Sequence, residues 1–160
     1  MKIENAAQIK HVDISQITGF LYLSSLPKSE HADHVHSLGI CLIISMTTYR
    51  APSVYRRPPF QFVHCPSLDT PLTPIPLFIL RRGVSTALPV IEAGKSVLVH
   101  CKSGVHRSVA MACCILIARG YSAENAMRLV KEKRDKADPD VHYIRKRIEK
   151  FESYWSKHHG

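Results

Sequence analysis

The chain has 160 residues, 45% of them hydrophobic and 22% charged, which suits one soluble globular domain with a core of its own. No apolar run approaches the ~18 residues of a membrane-spanning helix, and the polar, acid-containing start Met1-Lys2-Ile3-Glu4-Asn5 does not read as a signal peptide. A cytoplasmic protein without stable membrane insertion is expected, whose net charge of +9 attracts anions without choosing among nucleic acid, phosphoinositides, inositol phosphates and phosphoproteins.

Phe20–Ser24 reads as a short strand. A helical stretch over Lys28–Leu38 follows, with Gly39 as its stop. Ile40–Met46 is an unbroken apolar run of strand length, the pattern of a strand buried on both faces. Thr47–Pro59 is a loop that carries Arg50, Arg56 and Arg57. Phe60–His64 is a further strand. Cys65–Pro76 is a proline-rich loop containing Asp69. A helix is predicted over about Ile75–Ala93, with Pro89 expected to kink or break it. Ser96–His100 is a strand, Cys101–Arg107 a loop and Ser108–Arg119 a helix. Ser122 caps the next helix, which runs to about Arg134. Asp138-Pro139 combines a cap with a first-turn proline and predicts the start of the last helix. That helix runs to about Trp155, with Val141, Ile144, Ile148, Phe151 and Trp155 on one face.

Strands alternating with helices predict one α/β domain, a mainly parallel twisted sheet of about five strands flanked by helices. The core of the domain spans about 14–155. Ligands of such sheets bind beyond the carboxyl ends of the strands. Three loops are expected to meet there: the one with Arg50, Arg56 and Arg57, the one with Asp69, and Cys101–Arg107. The five cysteines are odd in number and form no Cys-x-x-Cys pair, which argues against a disulfide framework or a zinc site. Cys41, Cys113 and Cys114 sit in apolar stretches and read as core. The ten histidines are scattered, and His31, His34 and His36 read as one polar helix face.

The segment Val97-Leu98-Val99-His100-Cys101-Lys102-Ser103-Gly104-Val105-His106-Arg107-Ser108 carries the chemistry. A buried strand delivers a cysteine to the sheet edge, and six residues later an arginine opens a helix. The loop between them can curl so that its N–H groups form an anion nest, with Gly104 permitting the curvature. The helix adds the positive end of its dipole. Nest and dipole favour an anionic sulfur at Cys101. The same N–H groups, on Lys102, Ser103, Gly104, Val105 and His106, suit phosphate oxygens, and Arg107 can grip two of them in a fork. Cys101 is then placed as a nucleophile behind phosphorus. Phosphoryl transfer also needs a proton donor for the leaving oxygen, and Asp69 is the candidate. Taken alone, an aspartate in a proline-rich loop is more often a turn former. Ser108 can hydrogen-bond the departing sulfur, and His100 can brace the loop.

His100, Cys101, Gly104, Arg107 and Ser108 resemble the His-Cys-x5-Arg-Ser/Thr signature of the dual-specificity branch of the protein tyrosine phosphatase family. The likeness runs from about Ile14 to Phe151. Ile17–Leu26 resembles the family's opening strand, and Ser67-Leu68-Asp69 its general-acid loop. The resemblance implies a phosphatase that needs no metal or other cofactor, with Cys101 as nucleophile, Arg107 as phosphate clamp and Asp69 as general acid. It implies phosphotyrosine, phosphoserine and phosphothreonine substrates. It also suggests Cys65 as a partner that could bond Cys101 reversibly under oxidation. Two residues depart from the pattern. His106 stands where serine is common, and Lys102 gives half of the Cys-Lys-x-Gly-Lys-x-Arg pattern of phosphoinositide phosphatases, with Val105 in place of its second lysine. A phosphoinositide or inositol-phosphate phosphatase is therefore the alternative, and a non-catalytic phospho-binding module a further one. No nucleic-acid motif is present. Arg50, Arg56 and Arg57 are candidates for a basic substrate rim.

Overall fold

The computed structural model describes residues 12–159; the polar start Met1–Asn5 lies outside them. Five strands form one sheet: β1 (Ile14–Gln16), β2 (Leu21–Ser24), β3 (Ile40–Ser45), β4 (Gln61–His64) and β5 (Ser96–His100). Their order is β1-β2-β5-β3-β4. The pairs β2/β5, β5/β3 and β3/β4 are parallel, and only the edge pair β1/β2 is antiparallel. The helices are α1 (Ala32–Ser37), α2 (Leu77–Glu92), α3 (Arg107–Ala118), α4 (Ala123–Lys133) and α5 (His142–His159). The expected α/β architecture is thus present. None of the described helices is long and apolar enough to cross a membrane.

Strand alternation sorts side chains onto two faces. Val97 and Val99 of β5 join Leu21, Leu23, Leu42 and Ile44 in the larger core, under α2–α5. Leu98 joins Tyr22, Ile40, Ile43, Val35, Tyr55 and Phe60 on the other face. Ile40 and Leu42 face opposite ways because the register shifts between them. Cys41 sits at that irregularity and is only half-buried, which corrects its reading as a core residue. Cys113 and Cys114 are fully buried in α3. Every residue from Ser108 to Ile117 is buried, so α3 is the central helix, packed by β2, β5, α2, α4 and α5.

Three expectations about elements change. α2 runs through Pro89 without a break. Proline removes one N–H, whose acceptor would be the carbonyl four residues back, at Ser85; both residues are on the exposed face. Asp138-Pro139 does not start α5. That helix begins at His142, where the Val141 carbonyl accepts from Ile144 N (3.0 Å) and Arg145 N (2.9 Å), and it extends to His159. β1 was not foreseen. It is three residues long and none of them is buried, so no apolar run marks it. Ser122 does cap α4, its Oγ accepting from Asn125 N at 3.1 Å.

Candidate active site

β5 is fully buried and lies between β2 and β3, so the residue after it, Cys101, is delivered to the middle of the carboxyl edge. Cys101 is 2% exposed. Its Sγ accepts the Gly104 N–H at 3.2 Å and lies 3.1 Å from Ser108 Oγ. Ser108 is itself buried in the first turn of α3, so both partners of the sulfur belong to the segment singled out in the sequence.

The loop's shape follows from where its carbonyls go. Lys102 O accepts from Leu26 N (3.1 Å), Ser103 O from Arg134 Nη2 (3.2 Å), Gly104 O from Arg134 Nε (2.9 Å) and Val105 O from Asp138 N (2.9 Å). All four are pulled outward. A trans peptide points its N–H opposite to its carbonyl. The N–H groups of Ser103, Gly104, Val105 and His106 therefore turn to the concave side, beside the sulfur, as an anion nest requires. Gly104 adopts φ +70°, and a Cβ there would lie 2.8 Å from Ser24 O, so the turn has no room for another residue.

Arg107 opens α3 with its side chain held at the back of the site. Nη1 donates to Met46 O (3.2 Å) and Ser67 O (2.8 Å), tying it to the loops after β3 and β4. Nε is buried without a partner among the described residues. The guanidinium edge that holds Nε and Nη2 is thus left for a ligand, in the planar arrangement that matches two phosphate oxygens.

Asp69 lies on the loop after β4, at the same edge. Its Oδ1 accepts the Tyr143 hydroxyl at 2.6 Å, and its Oδ2 lies 3.0 Å from His106 Nδ1. Burial pushes this carboxyl up, but the hydrogen bonds from Tyr143 and His106, with the charge of Arg107, outweigh it and hold it below the usual range. Burial pushes His100 down to about 4, so its ring is neutral; Nδ1 lies 3.2 Å from Cys101 O, and Nε2 has no partner among the described residues.

The remaining sequence candidates divide. Lys102 and Ser103 are exposed at the mouth, and Val105 is half-buried. Arg50 is exposed just beyond β3. Arg56 and Arg57 are exposed on the return path to the amino end of β4, with Arg56 Nε bound to Ala51 O at 2.9 Å. The bond to Ala51 O holds the Arg56 side chain beside the residue that follows Arg50. A parallel β3/β4 pair requires this connection to travel back the length of the strands. Cys65 is buried, and burial pushes its thiol up to about 11. Cys65 and Cys101 follow strands on opposite sides of β3, and both are free. Two strand spacings are about 10 Å, whereas a disulfide spans a Cα separation of at most ~7 Å. A bond between them needs the strand ends to move.

Four residues at the site were not anticipated: Arg134, Asp13, Tyr143 and Asp138. The Arg134 side chain is 1% exposed and pairs with Asp13 through two hydrogen bonds of 2.9 Å. It grips the loop carbonyls from behind. Tyr143 approaches His106 at Nδ1 (3.3 Å) and Asp138 at Nε2 (3.6 Å). Among the described residues, no group of three or more His, Cys, Asp or Glu side chains is arranged to hold a metal ion.

Comparison with known proteins gives the family and the fold. The family model described as dual specificity phosphatase, catalytic domain, matches residues 21–153. The chain is 27% identical over 143 residues to Dual specificity protein phosphatase 1B of Arabidopsis thaliana, covering 88% of this chain and 82% of that protein. Its fold is similar to that of human DUSP28, with a TM-score of 0.79, 23% identity, and 89% and 95% of the two chains covered. It is similar as well to PTPMT1 solved in complex with PI(5)P, with a TM-score of 0.81, 19% identity, and 92% and 99% covered. The chain belongs to the dual-specificity phosphatase family of cysteine-based protein tyrosine phosphatases.

Proposed function

We propose that this phosphatase domain hydrolyses phosphotyrosine, phosphoserine and phosphothreonine through a phosphocysteine at Cys101. One observation carries the reading. The Cys101 sulfur lies at the floor of a loop whose carbonyls from Lys102 to Val105 are held by residues outside it, and the Arg107 Nε is unpartnered among the described residues.

In this mechanism the inward N–H groups of residues 103–106 and the Arg107 fork hold the three non-bridging oxygens. The sulfur attacks phosphorus as a thiolate, in line with the leaving oxygen. Asp69 protonates that oxygen as it departs. It then takes a proton from the water that attacks the phosphocysteine. The Ser108 hydroxyl, 3.1 Å from the sulfur, donates to it as the S–P bond breaks and negative charge returns.

Lys102 favours a second reading for the substrate. Lys102 follows the nucleophile in the chain and is exposed, a positive charge that suits a further phosphate of a phosphoinositide or inositol phosphate. The first test is hydrolysis of an aryl phosphate by the wild type and by Cys101→Ser. The wild type should turn over and the variant should not, while still binding vanadate. Two inert proteins that bind phosphopeptides would mean a binding module instead. A panel of phosphopeptides, phosphoinositides and inositol phosphates then separates the substrate classes. Preference for the lipids, lost in Lys102→Ala, would replace the phosphoprotein reading.

A further inference from the structure

The Asp69 carboxyl is one member of a cluster drawn from four stretches of chain. His106, in the loop after β5, places Nδ1 3.0 Å from Asp69 Oδ2. Tyr143, on α5, donates its hydroxyl to Asp69 Oδ1 at 2.6 Å, and that hydroxyl lies 3.3 Å from His106 Nδ1. Asp138, in the turn before α5, places Oδ2 3.6 Å from His106 Nε2. Both ring nitrogens of His106 thus face carboxylates. Arg107, the next residue in the chain, adds positive charge near Asp69.

This environment conflicts with the demand on a general acid. The bonds that orient Asp69 also hold its carboxyl low, and a lone carboxyl in that state carries almost no proton near neutrality. An acid must be loaded at the working pH. Histidine is the side chain whose charge ordinarily changes in that range.

We propose that Asp69 and His106 act as a pair that shares one proton, with His106 a positioning residue that stores the proton Asp69 delivers and Tyr143 fixing the carboxyl. This rests on the assignment of Asp69 as the acid. In the resting pair Asp69 is a carboxylate and His106 carries N–H on both nitrogens. As the P–O bond breaks, the Nδ1 proton moves to the Asp69 carboxyl, which passes it to the leaving oxygen, and the imidazole is left neutral. In the second step the Asp69 carboxylate takes a proton from water as the water oxygen bonds phosphorus and the S–P electron pair returns to sulfur. That proton passes back to His106 Nδ1. No proton is gained or lost by the pair over the cycle.

The test is the pH dependence of kcat/KM on an alkyl phosphate, whose poor leaving group needs the acid, in the wild type, His106→Asn and Asp69→Asn. Asparagine keeps an N–H donor near Asp69 but stores no proton. The alkaline limb in His106→Asn should move to lower pH by at least about one unit, and Asp69→Asn should have no such limb. In the wild type, the His106 ring resonances followed by NMR should titrate with the same midpoint as the limb, a readout that a purely structural role would not move. An unmoved limb in His106→Asn, or a ring midpoint far from the limb, overturns the shared proton. If Asp69→Asn keeps the wild-type profile, the acid assignment falls with it.

Discussion

Arg107 divides its guanidinium between two tasks. Nη1 is used by the protein, on Met46 O and Ser67 O, and the remaining edge is presented to the ligand. Lysine keeps the charge but has a single nitrogen, which cannot meet both backbone carbonyls and two phosphate oxygens. Arg107→Lys is therefore predicted to lower kcat/KM by about 10²–10³-fold, measured on an aryl phosphate. Near-normal turnover would mean that the fork is not the clamp. Cys101, Gly104, Arg107 and Ser108 were legible because they act within one short segment, where spacing along the chain fixes spacing in space. Tyr143 was not. It reaches Asp69 across 74 residues of sequence and by itself reads as an aromatic at helical spacing.

At the scale of elements, the carbonyls of the Cys101–Arg107 loop are held from outside it. Arg134, just beyond α4, takes two of its carbonyls, and the turn before α5 takes another. Gly104→Ala tests this frame. Its Cβ would meet Ser24 O and Arg134 Nη2 at a φ that alanine disfavours. The loop must shift, and shifts of about 1 Å can lower rates about 10²-fold. Steady-state kinetics should show that loss with the overall fold kept by circular dichroism; wild-type kinetics would contradict the rigid frame. The same frame explains the misplaced helix start. Asp138 has the sequence of a cap, but its N–H serves Val105 O and its carboxylate faces His106. Local pattern describes what Asp138-Pro139 can do in isolation, and the loop it must hold lies over 30 residues away.

At the scale of the molecule, the Asp13–Arg134 pair ties the chain before β1 to the back of the site, across 121 residues of sequence. Burial pushes the Asp13 carboxyl up, but hydrogen bonds from Arg134 and Lys136 outweigh this and hold it at about 2. A carboxyl lower in the folded chain than in the unfolded one, at about 3.9, stabilises the fold fully above that range. The stabilisation is lost as pH falls toward about 2. The melting temperatures of wild type and Asp13→Asn should thus show their full difference at about pH 5 and above and converge in acid. A constant gap would contradict the pairing. The sheet itself was legible because β2, β3 and β5 are buried on both faces and read as apolar runs. The edge strand β1, half in contact with solvent, left no such mark, and the buried Arg134 gave no signal because its partner is so distant in the chain.

The account rests on transfer of a phosphoryl group to the Cys101 sulfur. The most direct measurement is acid quench of the wild type during turnover of an aryl phosphate, followed by peptide mass spectrometry. The predicted result is a phosphoryl adduct on the peptide that contains Cys101, absent from Cys101→Ser. An adduct on another residue, or turnover by Cys101→Ser at the wild-type rate, would contradict it.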